Sequence, residues 1–222
     1  MTTEQTLDRP RLDDAAANEV AQTWGSLFFS PDRPAPKLLV VTAAARGEGA
    51  TQITAALALT GTADGSDVRV LAVDLNVREP QLAEVLGCPD TPGIAEVLAG
   101  TTSLDAAICP VGGGTLSVLP AGAATDHPLG LLRSDKLKDL LKQLSERFDH
   151  VLIDTAAANV YPDVQWLSAL ADGTVIVAVA GQTRRESIAE ARKRIEMAGG
   201  KPLGVVLNRR TFPVPGFLYR HT

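Results

Sequence analysis

Short apolar runs alternate with stretches of helical period along most of the chain. The runs at 38–41, 68–74, 116–119, 150–154, 174–179 and 203–207 are rich in Val, Leu and Ile and apolar at odd and even positions alike, as in strands covered on both faces. Between them the pattern changes to a 3.6-residue period. A helix is predicted over 15–29, where Val20, Trp24, Leu27 and Phe28 make one face and Pro31 and Pro34 end it. Further helices are expected over 52–59, 78–86, 94–98 and 160–170. Ser134 is placed as the cap of another, with Leu137, Leu140, Leu141, Leu144 and Phe148 on one stripe. Thr183 and Glu186 have the spacing of a capping box for a helix that turns Ile188, Ala191 and Ile195 inward before Gly199 and Gly200. Strand and helix in alternation mean a parallel sheet with right-handed crossovers. The expected fold is a single α/β domain, a mostly parallel sheet flanked by helices on both faces, over 15–208. A polar arm precedes it at 1–14 and a tail follows at 209–222.

One junction carries a chemical signal. The strand at 38–41 breaks into Arg46-Gly47-Glu48-Gly49-Ala50-Thr51 and then into a helix. A phosphate loop of the Walker A type, G-x-x-x-x-G-K-[ST], cradles phosphates with backbone N–H groups, spreads a lysine over them and holds Mg²⁺ with its hydroxyl. On that frame Ala44 takes the first glycine, Gly49 the second, Ala50 the lysine and Thr51 the hydroxyl. The amides and the positive end of the following helix remain, and the ammonium does not. From the loop alone, an ordinary strand-to-helix turn fits as well as a nucleotide site.

The acids shift that balance. Ligands of open parallel sheets lie beyond the carboxyl ends of the strands. Asp74 and Asp154 each close a predicted strand and so converge with the loop on one edge. Thr51, Asp74 and Asp154 make an oxygen set suited to Mg²⁺, which keeps several waters and takes phosphate oxygens for the rest.

Composition narrows the class of function. A length of 222 residues suits one domain with a sizeable core, and a net charge of -5 argues against nucleic acid or anionic lipid as a partner for the whole surface. Cys88 and Cys109 have neither metal-ligand spacing nor a disulfide framework, and they read as small apolar residues in a reducing compartment. The opening MTTEQTLDRPRLDD is polar and acidic, unlike a secretory leader, so a cytoplasmic location is expected. Membrane contact would then be peripheral or through a partner.

The chain resembles the cytoplasmic domain of bacterial tyrosine kinases, within the wider ParA/MinD-like group of P-loop ATPases. The resemblance rests on ARGEGAT at the loop, VLAVDLNVREP, LGCPDTPGIAEVLAG, the LPAG turn at 119–122, LLRSDKLKDLL, HVLIDTA, Pro162-Asp163, ADGTVIVAVAGQTRRES and LGVVLNR. It implies ATP or ADP with Mg²⁺ at Arg46, Gly47, Glu48, Gly49, Ala50, Thr51, Gln52, Asn208 and Arg209, with Asp74 as the catalytic carboxylate. It also implies work beside a membrane-bound polysaccharide co-polymerase or chain-length protein at the inner face of the plasma membrane, and a homodimer.

Departures from the family pattern cluster at functional positions. Ala50 replaces the lysine, Asn76 the second acid of D-x-D-x-R, and Ala156-Ala157 the prolines after Asp154. The assembly motif E-x-x-R-x-x-R reads Glu19, Gln22 and Gly25, and Tyr219 stands in place of a tyrosine cluster. Together they suggest a pseudokinase that regulates exopolysaccharide or capsule polymerisation and export. Two alternatives stay open: an active kinase or ATPase in which Arg46 supplies the missing charge, and a ParA/MinD-like positioning ATPase. The C-terminal arginines and aromatics suit docking to a membrane partner, or folding back on the domain.

Overall fold

The computed structural model describes residues 14–63, 67–112, 114–125 and 127–210. The N-terminal arm up to 13 and the tail from 211, with Tyr219, lie outside the described residues.

Seven strands form one sheet, ordered β3-β4-β2-β5-β1-β6-β7. They are β1 (Leu38–Ala43), β2 (Val70–Asp74), β3 (Cys109–Val111), β4 (Leu116–Leu119), β5 (His150–Asp154), β6 (Gly173–Val179) and β7 (Pro202–Asn208). All neighbours are parallel except β3 and β4. The short edge strand β3 escapes a hydropathy reading because Pro110 interrupts it.

Side chains of β1 alternate across the sheet and so define two cores. Leu38 and Val40 pack with α7 (Asp135–Arg147), α8 (Asp163–Leu170) and α9 (Arg185–Met197), while Leu39 and Val41 pack with α1 (Asp14–Phe28), α2 (Ala50–Gly61) and α3 (Leu82–Leu86). Trp24 of α1 stacks on Phe28 with ring centroids 3.9 Å apart and meets His150 edge-on. Its indole fills the space that a side chain at Gly61 would need, so α1 seats its apolar face on α2 as its pattern predicts.

α4 (Ile94–Ala99), α5 (Leu104–Ala107) and α6 (Pro128–Leu132) complete the helices. The TPGIAEV stretch and the LPAG turn, far apart in sequence, lie together: Ile94 N–H donates to Pro120 O at 2.8 Å and Ala95 N–H to Ala121 O at 3.0 Å. Glu96 binds both, accepting from Gly93 N at 2.8 Å and Ala123 N at 3.0 Å. Among the described residues no helix is long and apolar enough to cross a membrane.

Three expectations are corrected. The segment expected as helix from 78 is a turn until Leu82, because the Asp74 carboxylate accepts the N–H groups of Gln81 and Leu82 and folds the chain back on β2. The helix expected from 160 starts at Asp163, after Pro162. The Thr183–Glu186 capping box does not form. Arg184 takes the cap position, and the Thr183 hydroxyl accepts the Val179 N–H at 2.8 Å and donates to Glu48.

Candidate phosphate-binding site

Parallel pairing brings the ends of three strands side by side. Asp74 of β2 is in register with Asp154 of β5, which is in register with Val41 of β1. The loop that follows β1 therefore rises beside both carboxylates.

Two glycines shape that loop, Gly47 at φ 74° and Gly49 at φ 92°, both left-handed. Gly49 precedes α2 with no side-chain cap, so the first amides of the helix face the loop cavity. A side chain at Gly49 would collide with the Asn208 amide, which donates to Glu48 O at 2.9 Å. The buried Glu48 carboxylate accepts Ala45 N–H at 2.8 Å and the Thr183 hydroxyl. It braces the loop from within, a part beyond the cradle position that the resemblance implies for it. Arg209, with its own φ at 54°, turns the chain out of β7 while its N–H donates to Asn208 Oδ1 at 2.8 Å.

Thr51 Oγ1 donates to Asp154 Oδ2 at 2.7 Å, and Asp154 Oδ1 is buried with no hydrogen-bond partner. An orphaned carboxylate oxygen beside a hydroxyl fits a hydrated divalent cation. Among the described residues no cluster of three His, Cys, Asp or Glu side chains could hold a metal by itself, so such a cation would need phosphate oxygens to complete its shell. Asp74 differs. Its oxygens accept three backbone N–H groups, from Asn76 at 3.0 Å, Gln81 at 3.1 Å and Leu82 at 2.9 Å.

Burial, and after it the Asp74 charge, push the Asp154 carboxyl well above the ordinary aspartate value. Burial raises Asp74 too, against the lowering effect of its three amides. A carboxyl raised in the folded state stabilises the fold below its unfolded value, and that contribution is lost as pH rises through the folded value. Asp154→Asn is therefore expected to melt above the parent chain at pH 7, with the gap closing as pH falls toward about 4. Each kcal/mol gained corresponds to about 2–4 °C at this size. Scanning calorimetry across pH checks it, and equal melting temperatures at both ends would refute it.

The mouth of the site brings Arg46, expected there from the sequence, together with Glu79 and Tyr161, which were not among the expected site residues. Arg46, 53% exposed, pairs with Glu79 at 3.3 Å and donates to the Tyr161 hydroxyl. The guanidinium groups of Arg46 and Arg78 lie 5.1 and 4.4 Å from the Tyr161 ring centroid. Arg78 forks onto Asp163 at 2.8 and 3.2 Å, tying the loop after β2 to the start of α8. A tyrosine immediately before Pro162-Asp163 was the only signal available in the sequence. Arg46, Glu79, Tyr161 and the loop line a cavity of about 170 Å³. On the other side of Gln52, a groove of about 920 Å³ between α1 and β7 reaches Asn208 and Arg209.

No family model matches the chain. It is 31% identical over 181 residues to the tyrosine-protein kinase YwqD of Bacillus subtilis (strain 168), covering 82% of this chain and 75% of that protein. The chain belongs to the bacterial tyrosine-protein kinases. Among solved structures, the kinase domain of the Escherichia coli tyrosine kinase ETK superposes on this family member with a TM-score of 0.81 at 25% identity, over 91% of this chain and 80% of that one. The Pyrococcus furiosus cell division ATPase MinD gives a TM-score of 0.63 at 26% identity, over 78% and 72%. The chain therefore has the parallel α/β sheet that the alternating pattern predicts, in the P-loop ATPase form that the resemblance implies.

Proposed function

We propose that this chain is a nucleotide-binding member of the tyrosine kinases that has lost efficient phosphoryl transfer. It acts as a regulator of exopolysaccharide or capsule polymerisation beside a membrane-bound co-polymerase. The observation that carries this reading is a phosphate loop braced by Glu48 and Asn208, with the Thr51–Asp154 pair in place and Ala50 where the lysine belongs. The loop amides and the α2 N-terminus supply the field for phosphates. Thr51 and Asp154 would hold Mg²⁺, which when bound neutralises charge on the phosphates. The groove at Asn208 and Arg209 is the place for the base.

Transfer needs more. Phosphoryl transfer depends on positioning and on neutralising the migrating charge, so a missing lysine removes a contact with no substitute on the helix itself. Asp74, the carboxylate that the resemblance makes catalytic, spends its hydrogen bonds on three amides, and Asn76 nearby turns its side-chain amide to Glu79 O at 2.9 Å. Both hold the shape of the loop after β2.

Calorimetric titration with ATP and ADP, with and without Mg²⁺, together with phosphotyrosine immunodetection, tests the reading. Nucleotide binding is expected, with phosphotyrosine no higher than for Asp154→Asn. Robust Mg²⁺-dependent phosphorylation of the chain or of a co-polymerase tail would overturn the impaired assignment and favour a working kinase.

A further inference from the structure

The Walker-type frame lacks its cation at position 50, yet the site mouth is not without positive charge. Arg46 is the one cationic side chain among the described residues lining the phosphate cavity. Its Nη2 meets two groups from different loops, Glu79 after β2 and Tyr161 after β5. We propose that Arg46, positioned by Tyr161, is the cation that receives the terminal phosphates of a nucleoside di- or triphosphate, and that Glu79 is the anion it exchanges for them. The proposal rests on the nucleotide-binding reading of this site and adds Tyr161 and Glu79 to it.

Three physical points favour the exchange. The Arg46–Glu79 pair is open to water on both sides, at 53% and 55% exposure, and exposed pairs hold weakly. A polyphosphate carries more charge than a carboxylate, meets the guanidinium with matching fork geometry, and sits in the field of the α2 amides, so it wins the competition. Tyr161 is not an anion and has no quarrel with an arriving phosphate. Its hydroxyl accepts from Nη2 and its ring lies under the guanidinium, so the group stays at the cavity mouth when Glu79 lets go. Tyr161 is in turn fixed by the neighbouring Arg78 guanidinium, itself anchored on Asp163.

The full chain, titrated calorimetrically with ATP and with AMP in the presence of Mg²⁺, tests this. Arg46→Ala is expected to weaken ATP about tenfold and leave AMP nearly unchanged, because AMP has no terminal phosphates to receive. Glu79→Gln is expected to tighten ATP about threefold by removing the competitor. Tyr161→Phe keeps the ring and loses the hydroxyl; it should weaken ATP by a few fold in the parent chain and by nothing in an Arg46→Ala background, a coupling that a merely structural role would not show. If the parent chain binds ATP and these substitutions leave its affinity unchanged, the clasp is wrong and the nucleotide reading stands. If neither the parent chain nor Glu79→Gln binds ATP at about millimolar concentration, the nucleotide reading falls and takes the clasp with it.

Discussion

Arg78→Ala is expected to destabilise the fold by about 3–5 kcal/mol, lowering the melting temperature by on the order of 10 °C. The reason is the partner it abandons. Asp163 has 0% exposure, and both of its oxygens accept from the Arg78 fork, at 2.8 and 3.2 Å. Arg78 itself keeps 22% of its side chain exposed, so the substitution removes little apolar burial, and the cost comes from a carboxylate left buried and unpaired. The double substitution Arg78→Ala with Asp163→Asn is expected to recover most of the loss, since it removes the stranded charge. A single variant melting within about 1 kcal/mol of the parent would show that Asp163 finds water or another donor. The ion pair also fastens the loop after β2 to the start of α8, so ATP affinity should fall together with stability.

The elements that hydropathy reveals are those whose burial is decided locally. Strands β1, β2 and β6 are buried along their whole length and β5 at every position after His150, and an apolar run covered on both faces is readable without knowing its neighbours. The convergence of Asp74 and Asp154 follows from parallel register, which the alternation of strands and helices already implies. What stayed hidden depends on pairs remote in sequence. Thr183 looked like a helix cap because its spacing to Glu186 allowed it, and the phosphate loop's Glu48, 135 positions away, took its hydroxyl instead. Tyr161 and Glu79 carry no motif of their own; only the fold sets both beside Arg46. Asp74 shows the opposite case, a residue whose place was legible and whose bonding was not. Of the three amides that hold it, that of Asn76 precedes the stretch expected as helix from 78, and those of Gln81 and Leu82 lie where the turn in that stretch gives way to α3.

Restoring the lysine gives the second large effect. Ala50→Lys is expected to tighten ATP about 10- to 100-fold, the range that charge-assisted hydrogen bonds from one ammonium to two phosphates supply. The surroundings suit a cation: Asp154 is buried with an unpartnered oxygen, and Asp74 stands in register beside it. In the absence of nucleotide an ammonium at the start of α2 would draw both carboxyl values down, toward the charged form. Dependence on Arg46 should shrink accordingly, so Arg46→Ala in the Ala50→Lys background is expected to cost only a few fold instead of about tenfold. Phosphotyrosine should rise little, because Asn76 still offers an amide where an acid would accept the hydroxyl proton and Asp74 remains bound to its three amides. Affinity and transfer are thereby separated in one variant. Calorimetry reads the first and immunodetection the second. An ATP affinity that does not move when the lysine returns would mean that the loop amides do not face a phosphate, and the nucleotide assignment of this edge of the sheet would fail with it.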